Sequence, residues 1–246
     1  MDQIYIPKNR EGLEVGSIVV IKPLIERKSK IKIYSYNTKS IEPIKMKIIN
    51  EIMSYITESI ECENIIITGS FLNQGFKFND VDVLIITDKK LNASKIKENL
   101  ERKIQIKIDL LILENKSLQQ GINTDPLYNN MLSKCISKNR IIYKKQREIN
   151  YKLLDLHLLK SNLMLTNFDN LTGNEKYNLT RNMISILLFI DQKKVSNEKI
   201  DEKITQSFKI TINEIKENLL DKKEFLTKYK QIYNNLYKRI LNNGTK

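Results

Sequence analysis

The sequence contains one histidine, two cysteines and no tryptophan in 246 residues, with only seven glycines and four prolines. Cys62, Cys135 and the single His157 are too few for a Cys/His zinc site, and two cysteines make no disulfide framework. A lone imidazole also leaves His-based dyads and triads one candidate owner. Glycine and proline are too sparse for a collagenous or low-complexity chain. No run approaches the roughly 18–20 apolar residues of a membrane-spanning helix, and Met1–Arg10 has no sustained apolar signal core. A reduced, cytoplasmic protein without a membrane partner is the expectation.

What is present fits a globular chain: 41% hydrophobic and 29% charged residues, enough for one large domain or two modest ones. Lysine and arginine number 42 against 29 acidic residues, a formal net charge of +13. That excess favours polyanionic partners such as nucleotides or nucleic acid. The general abundance of Lys, Ile and Asn offers a plain compositional source for the same charge. Carboxylates are the first place to look for chemistry.

Periodicity divides the chain into three. Residues 1–42 read as a short β-rich N-terminal segment, with strands at Ile4–Ile6, Ser17–Ile21 and Lys30–Tyr36. Residues 43–147 alternate between helix and strand. Ile44, Ile48, Ile49, Ile52, Met53 and Ile56 mark one face of a helix from Pro43. Strands are expected at Asn64–Thr68, Val81–Thr87, Gln105–Leu113 and Arg140–Tyr143, with helices over Leu91–Lys103 and Leu127–Ser137. This is an α/β (α+β) pattern with a small mixed sheet. Residues 148–246 read as an all-α helical bundle, with helices over Ile149–Thr166, Asn174–Ile190, Glu198–Asn218 and Lys222–Asn242.

The informative stretch runs from Gly69-Ser70 to Asp80-Val81-Asp82, followed later by Asp109. Asp80 and Asp82 stand two apart at the start of an expected strand, so both side chains leave one face. Paired carboxylates repel and raise each other's pKa unless a cation lies between them. Magnesium suits such an oxygen-rich site and commonly binds substrate phosphates as well. Asp109 interrupts the apolar run of IKIDLLIL, where burial without a partner is costly; a metal shared with Asp80 and Asp82 offsets that cost. Glycine lets the backbone approach a ligand closely, and a turn opening at Ser70 presents amide hydrogens to phosphate. Taken alone, Gly69-Ser70 is equally an ordinary turn after a strand. Phosphate on one side and metal on the other is the arrangement used in phosphoryl and nucleotidyl transfer.

Gly69-Ser70, nine intervening residues and Asp80-Val81-Asp82, with Asp109 on a later strand, resemble the signature of the DNA polymerase β-type nucleotidyltransferase superfamily. The flanking runs IIIT and VLIIT agree with it, and the likeness covers residues 44–145. The resemblance implies a nucleotidyltransferase domain using Mg²⁺. In it Asp80 and Asp82 bind both metal ions, Asp109 binds the nucleophile-side ion, and Gly69 and Ser70 hold the triphosphate of an NTP such as ATP. Small members often carry an arginine shortly after Gly-Ser, whereas this loop reads FLNQGFKFN, with Lys77 its one cation. The helical region is similar in layout to bundles that follow such domains in minimal and kanamycin-type nucleotidyltransferases. The acceptor hydroxyl is left open among a protein, an RNA and a small molecule, as is homo-oligomer formation. The alternative is a non-catalytic nucleotide- or nucleic-acid-binding regulator, or an antitoxin-like partner protein, with the same fold.

Other polar residues have plainer readings. His157 lies in an apolar helical run and reads as a packed, hydrogen-bonded histidine. Glu175, Asp155 and Arg181 face an acceptor from the bundle in principle, but spacing singles out none of them. Tyr229, Tyr233 and Tyr237 recur every fourth residue, the pattern of a packing face, and Lys144-Lys145 and Lys222-Lys223 read as solvated charge.

Overall fold

Apolar residues in the central strands alternate between two faces, so the sheet they form must be covered on both. The computed structural model describes residues 32–38, 40–142 and 146–244, and these belong to one compact unit. The strands expected at Ile4–Ile6 and Ser17–Ile21, and the pair Lys144-Lys145, lie outside the described residues.

Five strands make a mixed sheet: β1 (Tyr34–Tyr36), β2 (Asn64–Thr68), β3 (Val81–Ile86), β4 (Ile108–Leu113) and β5 (Cys135–Ser137), in the order β1-β5-β2-β3-β4. β3 and β4 are parallel and the other neighbours antiparallel. The parallel pair needs a crossover, supplied by helix α2 (Ala93–Ile104). Val81, Val83 and Ile85 pack with α2 and with Ile49, Ile52, Met53 and Ile56 of α1 (Pro43–Ser59). Leu84 and Ile86, on the other face, meet Leu118 and Ile122 of α3 (Asn115–Thr124) and Leu132 of α4 (Pro126–Leu132). Asp82 shares the face of Leu84 and Ile86.

After Ser137 the described chain contains helices and no strand. α5 (Tyr151–Ser161), α6 (Leu163–Thr166), α7 (Gly173–Ile190), α8 (Asn197–Phe208), α9 (Ile212–Lys216) and α10 (Lys222–Gly244) enclose a separate core. Thr172 and Glu175 close a capping box on α7, as Thr211 and Glu214 do on α9. Among the described residues the bundle meets the helices that cover the sheet. α4 packs on α7, and His157 of α5 lies 3.1 Å from Asp125, whose other carboxylate oxygen accepts the Leu127 amide at 2.7 Å and caps α4. No described helix is long and apolar enough to cross a membrane.

Several expectations shift. The strand sought at Arg140–Tyr143 is instead Cys135–Ser137, and the helix before it ends at Leu132. Pairing decides this: Ser137 and Ile136 face both β1 and β2, and Ile136 is fully buried. β1, from the segment read as separate, is a strand of this same sheet. The strand expected from Gln105 starts at Ile108, because Gln105 (φ 58°) ends α2 in the left-handed region. Lys209 (φ 56°) similarly divides the helix expected over Glu198–Asn218. α3 escaped detection because it buries only Leu118 and Ile122 and contains Gly121.

A candidate active site at the end of strands two and three

β2 and β3 pair so that Thr68 faces Asp82, and β3 and β4 pair so that Asp82 faces Asp109. Parallel neighbours in register point to the same side, about 4.8 Å apart between backbones. Asp80 stands two residues before Asp82, just ahead of the strand. None of the three carboxylates takes part in a salt bridge among the described residues, in a chain with 42 lysines and arginines. Burial of half-buried Asp82, followed by repulsion from Asp80 and Asp109, raises its pKa to about 6; nearby Arg181 pulls the other way.

Asp109 departs from the expectation of burial. β4 is an edge strand, and the side chain is exposed, so no desolvation cost demands a partner for it. Among the described residues, no three His, Cys, Asp or Glu side chains are gathered into a ready metal cage. The donor set nevertheless fits a hard cation: oxygen ligands only, mutual repulsion at Asp82 that Arg181 only partly offsets, and no salt bridge to any of the three among the described residues.

Gly69 follows β2 with φ 82° and ψ −164°, a region essentially closed to other residues. A Cβ there would sit 1.6 Å from Asp82 Oδ2, so the backbone reaches the carboxylate only because the side chain is absent. Ser70 opens a single 3₁₀ turn, Ser70–Leu72, rather than a full helix, and its side chain is exposed. Little dipole is therefore available to hold phosphate there. Lys77 is exposed in the following loop.

That loop is fastened from beneath by a residue the sequence did not single out. Lys45 of α1 is 1% exposed; its ammonium donates to the carbonyl of Asn73 at 2.5 Å and to that of Gly75, and lies 3.1 Å from Glu42. The rings of Phe71, Phe76 and Phe78 surround it at 5.7, 5.3 and 5.5 Å. Hydrogen bonding from its own backbone amide, then from the Gly75 amide at 2.6 Å and the Lys45 ammonium, keeps the Glu42 carboxyl below its usual range. In the sequence Lys45 reads only as a polar interruption of an apolar helix face. Lys45→Met keeps much of the bulk but strips two carbonyls and Glu42 of their partner. It is expected to cost about 2–4 kcal/mol in urea denaturation. An unchanged midpoint and slope would show that the loop holds without it.

The bundle residues sort themselves differently. Glu175 is occupied in its capping box, Asp155 is exposed, and His157 is engaged with Asp125. Tyr229 is fully buried, its hydroxyl donating to the Ser161 carbonyl at 2.9 Å, while Tyr237 is 43% exposed. Cys62 and Cys135 are both free thiols. Arg181 alone among the three bundle candidates influences Asp82. Its place on α7 carries no local sequence signal, since the two residues belong to different cores.

Comparison with protein-family models and with curated proteins returns no match to this chain.

Proposed function

We propose that this chain is a nucleotidyltransferase that moves a nucleoside monophosphate from an NTP, such as ATP, to an acceptor hydroxyl. One observation carries the reading: Asp82 and Asp109 stand in register, with Asp80 two residues away, all free of salt bridges among the described residues, and Gly69 brings the backbone against Asp82. Asp80, Asp82 and Asp109 would hold Mg²⁺, which supplies charge neutralisation for the triphosphate and its departing pyrophosphate. In transfer, the acceptor oxygen forms a bond to the α-phosphorus while the bond to the pyrophosphate oxygen breaks. Gly69 permits close approach of phosphate beside Asp82, with Ser70 and Lys77 exposed toward solvent at the adjoining turn and loop. The net charge of +13 suits an anionic substrate and acceptor, with protein, RNA and small-molecule hydroxyls all within the reading.

Incubating the protein with each α-³²P-labelled NTP, Mg²⁺ and cell extract tests this directly. Wild type is expected to label an acceptor, and Asp80→Asn to lose the labelling. Equal labelling by the variant would overturn the mechanism. A second reading, a regulator that binds nucleotide or nucleic acid without turnover, draws on the exposure of Asp109 and the lack of a ready three-group cage among the described residues. It predicts salt-dependent binding of RNA or DNA with no label transferred.

A further inference from the structure

Arg181 is a charged side chain whose hydrogen-bond donors are unused among the described residues. Its Nε is buried and unbonded, and the side chain makes no hydrogen bond or salt bridge among the described residues. The ring of Tyr177, one turn earlier on α7, lies 5.8 Å from its guanidinium. Tyr177 is itself fixed, donating its hydroxyl to Asp201 at 2.8 Å with Lys216 4.4 Å over its ring. A guanidinium carries five donors and keeps its charge, so leaving its buried Nε–H unused is costly even in a half-buried residue. The neighbouring acid, Asp201, accepts the Tyr177 hydroxyl on Oδ1 and feels the Arg181 charge without a salt bridge to it among the described residues.

The surroundings connect this arginine to the aspartates. α7 packs against α4, and the Met131 carbonyl of α4 receives the Thr68 hydroxyl at 2.5 Å. Thr68 immediately precedes Gly69 and faces Asp82 in the sheet. The Arg181 charge is felt at Asp82 and at Asp201 alike. Meanwhile the loop after Ser70 has little cationic help to give. Lys77 is its one cation, Lys45 is spent beneath the loop on Asn73, Gly75 and Glu42, and Lys134 donates to Asn73 Oδ1 at 2.9 Å.

We propose that Arg181, reaching from the bundle, donates to the phosphate oxygens of the nucleotide, adding a second cation to Lys77 of the Gly69–Asn79 loop. This deepens the nucleotidyltransferase reading and rests on it. The planar fork of arginine matches two phosphate oxygens at once, and the fixed Tyr177 ring limits how far it swings. Bundle and sheet then close on one substrate, the bundle contributing a binding group and not only packing.

Calorimetric titration of the full chain with inorganic tripolyphosphate in Mg²⁺ tests the contact without assuming a base or an acceptor. Arg181→Met is expected to weaken binding by about ten- to hundredfold. Arg181→Lys, which keeps charge and stem but not the fork, is expected to lose less, about three- to tenfold. The thermal midpoint of each variant without ligand checks the fold, and the Lys variant decides if the Met variant does not fold. Affinities within about twofold of wild type for the folded variant overturn the proposal. If wild type binds tripolyphosphate through Arg181 yet labels no acceptor from any NTP, the transfer reading falls and the phosphate contact stands. If wild type binds no tripolyphosphate, both fall.

Discussion

Asp82→Asn is expected to abolish nucleotidyl transfer while making the ligand-free protein more stable at pH 7. The two effects share one cause. Burial and the charges of Asp80 and Asp109 raise the Asp82 pKa from its ordinary 3.8 to about 6. The folded protein therefore holds this proton more tightly than the unfolded chain. Stability rises as pH falls through 6 toward 4, and above 6 the ionised group destabilises the fold. Asparagine removes the charge and its penalty. The group is partly exposed, so screening reduces the gain to roughly 1 kcal/mol, or about 2–4 °C in Tm. The difference from wild type should fade below pH 4, where the carboxyl is protonated in both states. Mg²⁺ should raise the Tm of wild type and leave Asp82→Asn nearly unmoved, since only the first keeps the full donor set. Scanning calorimetry from pH 4 to 8, with and without Mg²⁺, reads all of this. A lower Tm for the variant across the whole range would make Asp82 a structural aspartate and remove it from the site.

Gly69→Ala is expected to damage both the fold and the reaction. The backbone conformation at φ 82° and ψ −164° costs a side-chain-bearing residue about 1–3 kcal/mol. The new methyl would also lie 1.6 Å from Asp82 Oδ2 and 2.7 Å from Asp82 Cγ, distances at which the carboxylate has to move. A displacement near 1 Å is enough to lower a positioned reaction by about a hundredfold. The steric part depends on Asp82 and the backbone part does not. In an Asp82→Ala background, Gly69→Ala should therefore cost less by urea denaturation, keeping only the strain of the backbone. Equal costs in the two backgrounds would show that the close approach of Gly69 to Asp82 is not what matters.

Much of this site was legible in the chain. The run NIIIT, closed by Gly-Ser, is β2 from Asn64 to Thr68 because an uninterrupted apolar strand buried on both faces has few other places to go. The spacing of Asp80 and Asp82 set the expectation of a shared face for the same local reason, and in the structure Asp80 stands just ahead of the strand that holds Asp82. Asp109 was legible as an anomaly but misjudged in burial. Its exposure follows from β4 being an edge strand, and strand order is not written in a run of eight residues.

The sequence by itself determined the local elements with clear periodicity and the unusual concentration of acid beside Gly69-Ser70. Periodicities of two and 3.6 are properties of one segment, and they survive in any fold that uses it. Only the tertiary structure decided that Cys135–Ser137 pairs between β1 and β2, that Asp82 and Asp109 stand in register, and that Lys45 lies buried under the Gly69–Asn79 loop. It also decided that the charge of Arg181, on a helix of the bundle, is felt at Asp82. Register, burial and the meeting of distant charges are settled by packing both faces of the sheet at once, and no single stretch of chain contains that information.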